Sequence, residues 1–222
     1  MRIRRRPWAR PELAASSLYI EEPARYKGGW QAVFANQNPI HLELGCGKGG
    51  FIARMAADHP EVNYMAVDIK SDMLGYANRK VLALCGREGA PPANVRLMSH
   101  DIERIDLMLG PPDVVERIYI NFCNPWPRDR QHKKRLTHTR WLAKYKTFLA
   151  DGGEVWFKTD HRQLFEDSLL YFAETGFQVT RCIQGLQPGG LPESAPTEHE
   201  EMFRREGMPI YCLVARYLKE GR

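Results

Sequence analysis

Short apolar runs alternate with helix-patterned segments along most of this 222-residue sequence, and that alternation leaves few folds open. The strand-like runs are 40–44, 64–68, 95–98, 118–122, 154–158, 177–182 and 210–217. Helical patterns fill the gaps at 51–58, 71–84, about 137–149 and 160–174, with a short one near 197–205. Strands separated by helices specify a doubly wound, mostly parallel α/β sheet, here of seven strands. The length suits one core, expected at 26–222. Residues 1–25 mix Arg, Pro and polar residues without periodicity and read as a basic, mobile arm.

The first of these strands runs into Gly45-Cys46-Gly47-Lys48-Gly49-Gly50, and the second ends in Asp68. Gly45, Gly47 and Gly50 match G-x-G-x-x-G, so a dinucleotide is the first reading to test. Glu43 argues against it. A carboxylate at the mouth of the loop repels a diphosphate but suits a cofactor with an ammonium and a sulfonium. S-adenosylmethionine is such a molecule, and Asp68 then accepts from its ribose hydroxyls. Asp101, after the third strand, is placed for the adenine end. Each acid also has a plain alternative as a helix cap or a solvated strand end.

The fourth strand leads into Asn124-Pro125-Trp126-Pro127 and then Arg128, Arg130, Lys133, Lys134 and Arg135. Two prolines forbid strand or helix and fix Trp126 in a stiff turn. An amide, an aromatic ring and cations at a strand end can hydrogen-bond a base, stack it and hold its phosphates. The alternative is a tight turn and a solvated charged loop. Net charge of +5 is weak support by itself, but five arginines among the first ten residues and the cations of 128–140 concentrate it. This pattern predicts salt-dependent RNA binding through Arg2, Arg4, Arg5, Arg6 and the 128–135 cluster. Five cysteines without a C-x-x-C pair fit a reducing cytoplasm rather than disulfides or zinc, and no membrane segment or metal set is expected.

With E-L-G-C-G-K-G, N-F-C-N-P-W-P-R, K-T-D and T-E-H-E in view, the sequence resembles the bacterial tRNA (guanine-N7-)-methyltransferase family over about 40–217. The resemblance implies the class I S-adenosylmethionine-dependent methyltransferase fold and tRNA as partner, for a monomer or homodimer. It implies cofactor contacts at Glu43, Gly45, Gly47, Asp68, Asp101 and Asn124. It implies substrate contacts at Arg128, Asp160, Thr197, Glu198, His199 and Glu200, with Asn124 and Asp160 as catalytic candidates and guanine 46 of the variable loop as target. Three positions depart from the family: Asn124 stands for Asp, Arg128 for Lys, and His199 for Tyr.

Guanine N7 is a bare acceptor, so its attack on a methyl group needs no base. Asp160, Glu198 and Glu200 are candidates to stabilise the charge that moves onto guanine, or to accept its N1 and N2 hydrogens. Residues 160–163 and 197–200 also read as helix capping boxes. Two competing readings are an amino-group methyltransferase on adenine or cytosine, and a non-catalytic RNA-binding module.

Overall fold

Parallel strands buried on both faces need near-continuous apolar sequence, and the central strands have it. The computed structural model describes residues 6–86 and 90–219. Its sheet has eight strands, one more than expected: β1 (Tyr19–Ile20), β2 (Ile40–Leu44), β3 (Asn63–Asp68), β4 (Val95–Ser99), β5 (Val115–Asn121), β6 (Leu149–Thr159), β7 (Phe177–Gln184) and β8 (Tyr211–Tyr217). Their order is β1-β4-β3-β2-β5-β6-β8-β7. All neighbours run parallel except β8, which is antiparallel to β6 and β7.

Alternate side chains divide the core into two layers. Leu42, Met65, Ile118, Ile120 and Phe157 pack under α2 (Trp30–Phe34), α5 (Thr139–Tyr145) and α6 (Arg162–Glu174). Tyr64, Ala66, Tyr119 and Trp156 face α1 (Ala9–Ala14), α3 (Gly50–Asp58) and α4 (Ser71–Cys85), with α7 (Glu198–Arg205) at the rim.

The extra strand comes from the segment expected as an arm. Residues 6–25 are packed: Leu13 and Leu18 are buried, Trp8 meets Tyr76 edge-on at 4.9 Å, and Arg79 lies 3.6 Å over Trp8 while bonding Glu12. Leu97 N–H donates to Leu18 O, which seats β1 beside β4. Arg2, Arg4 and Arg5 lie outside the described residues, as do 87–89.

One helix start also differs from expectation. His161, not Asp160, caps α6 by accepting from Leu164 N–H at 3.2 Å. The helix expected at 137–149 is shorter, because Leu149 already pairs with Val115 in the sheet.

Candidate active site

Strand order reverses between β2 and β5, and chains leaving their carboxyl ends diverge to open a crevice there. Gly45 and Cys46 N–H groups both donate to Val67 O, at 2.8 and 3.0 Å, pinning the glycine loop against β3. Gly45 and Gly47 have φ of +83° and +53°, and a Cβ on either would project into open space. That conformation favours glycine and leaves bare backbone along a cavity of about 800 Å³. Asp68 braces the same loop, its Oδ2 accepting from Gly47 N–H at 2.9 Å and its Oδ1 from Lys70 N–H at 2.8 Å. The other walls come from Met73 and Tyr76 of α4, Asn121 and Phe122 after β5, and the start of α7.

Glu43 is 2% exposed. Asn121 Nδ2 donates to its Oε1 at 3.2 Å, while Oε2 is buried without a hydrogen-bond partner. Burial above all, opposed by the Asn121 amide and Lys158 and helped by nearby Asp68, pushes the carboxyl up to about 8. Such an oxygen is unfavourable unless something cationic meets it. With the open glycine loop and the Phe51, Met73 and Tyr76 walls, it fits a ligand with an apolar body and one positive end.

The turn after β5 is held from below. Asn124 Oδ1 accepts from Trp126 N–H at 3.0 Å, so the carbonyl expected to face cofactor or guanine is engaged in its own turn. Arg135, expected among the RNA-facing cations, is 1% exposed. Its Nε donates to Pro125 O at 2.8 Å and its Nη1 pairs with Asp167. Arg128, Arg130, Lys133 and Lys134 do remain exposed, Lys134 lying 5.0 Å over the Trp126 ring.

At α7, Thr197 Oγ1 accepts from Glu200 N–H at 3.0 Å, as the capping reading requires. The reciprocal half fails, because the Glu200 carboxylate binds Lys158 at 2.9 Å and Arg204 at 2.5 Å inside the protein. Glu200 is therefore part of the scaffold under the cavity, not open to a substrate. Glu198 lines the cavity and pairs with Lys80 of α4. His199 is exposed beside Phe122.

Thus Glu43, Gly45, Gly47, Thr197, Glu198 and His199 line one cavity. Asp68, Asp101, Asn124, Arg128 and Asp160 lie outside its lining. Asp101 caps the 3-10 turn Ile102–Leu107 through Glu103 N–H at 2.9 Å. Asp160 is half-buried and makes no side-chain hydrogen bond among the described residues. Asn121 and Phe122 line the cavity without having been expected there. For Asn121 a signal existed, since it ends β5 on the face that carries Glu43. Among the described residues no His, Cys, Asp and Glu side chains group as a metal ion needs, and no helix is long and apolar enough to cross a membrane.

Fold and cavity define the class: a Rossmann-like α/β domain of the class I methyltransferase type. A family model described as putative methyltransferase matches residues 37–213. A 16S rRNA methyltransferase structure superposes with a TM-score of 0.63 at 14% identity, over 85% of this chain and 92% of that one. Sequence is more specific. The tRNA (guanine-N(7)-)-methyltransferase of Ruminiclostridium cellulolyticum is 56% identical, over 98% of this chain and 92% of its own length. That of Acetivibrio thermocellus is 47% identical, over 97% and 99%. This chain belongs to the tRNA (guanine-N(7)-)-methyltransferase family.

Proposed function

We propose that this protein transfers the methyl group of S-adenosylmethionine to N7 of guanine in tRNA, at position 46 of the variable loop. The observation that carries the reading, in a chain of this family, is Glu43 Oε2, a buried carboxylate oxygen without a partner on the wall of the glycine-loop cavity. S-adenosylmethionine supplies there an electrophilic methyl group on a sulfonium. Glu43 holds the ligand's cationic end, the bare backbone of Gly45 and Gly47 lets it lie close, and Asp68 keeps that loop in shape.

Because N7 carries no proton, these residues need only align the base and exclude water, which in favourable cases supplies roughly 7–11 kcal/mol. Asp160 and Glu198 are the carboxylates left to accept the guanine N1 and N2 hydrogens, since Glu200 is occupied by Lys158 and Arg204. Arg128, Lys133 and Lys134 meet tRNA phosphates from the exposed side of the turn. We place the protein in the cytoplasm, where tRNA and five free cysteines belong, acting as a monomer or homodimer.

The test is methyl transfer from labelled cofactor to an unmodified tRNA transcript, followed by nucleoside analysis. Formation of 7-methylguanosine, abolished when guanine 46 is replaced by adenine, is the expected result. Methylation on an adenine or cytosine amine supports the amino-group reading instead. Binding without transfer supports a non-catalytic RNA module.

A further inference from the structure

The chain leaves β5 in a way its strand pattern does not predict. Ile118 and Ile120 face one core layer and Tyr119 the other, so alternation sends Phe122 to the isoleucine side. Phe122 packs instead with the Tyr119 layer. Its φ is +50°, a left-handed conformation strained for a bulky residue, and it puts two consecutive side chains, Asn121 and Phe122, on the cavity. A hydrogen bond from Phe122 N–H to Lys158 O at 2.8 Å holds it there. Beside it, the His199 ring of α7 lies nearly parallel to it, with centroids 5.9 Å apart and planes at 23°. Phe203 leans on both. Exposed Lys48 and Arg205 border the same opening and form no ion pair among the described residues.

We infer that Phe122, backed by His199, is the surface on which the target guanine stacks, an inference that rests on the N7 reading above. A half-exposed aromatic pair flanked by free cations matches a purine nucleotide in shape and charge. The place is right as well, because Asn121, its chain neighbour, holds Glu43 at the cofactor seat. Methylation at N7 puts positive charge on the guanine imidazole ring, and an aromatic face attracts that charge as it develops. The strained backbone serves to aim the ring at the base.

The test compares Phe122→Leu and Phe122→Trp with the native protein. Phe122→Leu should lower kcat/KM for tRNA roughly ten- to hundredfold. Its affinity for S-adenosylmethionine by calorimetry should stay within about threefold, and Phe122→Trp should recover most of the loss. If the leucine variant folds poorly, Phe122→Gly suits the left-handed backbone, removes the ring, and should show the same split. Native kcat/KM in these variants, or a parallel loss of cofactor affinity, overturns the inference and makes Phe122 a wall of the cofactor cavity. A native protein that forms no 7-methylguanosine overturns the N7 reading, and this inference with it.

Discussion

Two carboxylates, Glu43 and Glu200, are each 2% exposed at the carboxyl-end rim of the sheet. They stand at the ends of one polar row. Glu43 touches Asn121, Asn121 and Lys158 are register partners across β5 and β6, and Lys158 binds Glu200. Glu200 has a cation at each oxygen, Lys158 on Oε2 and Arg204 on Oε1. Glu43 has one amide donor and one bare oxygen. Burial costs both carboxylates their hydration, but only Glu200 is repaid within the protein. The difference is one of internal pairing: a paired buried acid ties α7 to β6, and an unpaired one beside the cavity leaves an oxygen without a partner in the protein.

The largest effect that could break this contrast is on the paired side. Lys158→Met should destabilise the fold by about 3 kcal/mol, the low end for a broken buried pair because Arg204 remains. Adding Glu200→Gln should recover part of it. Chemical denaturation of the two single variants and the double variant measures this, and a cost under about 1 kcal/mol for Lys158→Met means that the pair is not scaffold.

An effect of comparable size, opposite in sign, is expected at Glu43. The folded protein keeps a proton on this acid that the unfolded chain loses above its ordinary value of 4.5. The contribution of Glu43 to stability is therefore full below about pH 4.5 and is lost as pH rises toward 8. Glu43→Gln removes that loss. Without ligand the variant should match the native protein near pH 4 and exceed it by roughly 2–4 kcal/mol above pH 8. Denaturation profiles that stay parallel across this range mean that Glu43 is solvated or paired.

The smallest effect contrasts buried and exposed cations of the 128–135 cluster. Lys133→Ala and Lys134→Ala should each lower the log–log salt slope of tRNA binding by roughly 0.7–0.9 and leave stability nearly unchanged. Arg135→Ala should do the reverse, because it strips Asp167 and Pro125 O of their donor. Filter binding at several salt concentrations, beside thermal denaturation, separates the two behaviours.

What was legible in the sequence followed how local each feature is. The glycine loop and the Thr197 cap are set by short spacing, and the structure has both conformations. Asn121 on Glu43, Asp167 on Arg135 and Lys158 on Glu200 come from 78, 32 and 42 positions away, so a free acid and a paired one read alike. Residues 6–25 lack periodicity because a few anchors, Leu13, Leu18 and Trp8 among them, dock them onto a helix that the sequence places far away. Phe122 misled for another reason. Alternation assumes extended backbone, and one left-handed residue reverses the face.

The central claim is that Glu43 Oε2 is left unpaired for the positive end of S-adenosylmethionine. Calorimetry of cofactor binding at pH 7, in two buffers of different ionisation heat, tests it most directly. Ligand charge should ionise a carboxyl that burial has pushed up to about 8. Binding to the native protein should then release roughly half to one proton. Glu43→Gln should release almost none and bind roughly tenfold or more weakly. Cofactor binding without proton release in the native protein, together with native affinity in Glu43→Gln, would contradict the account.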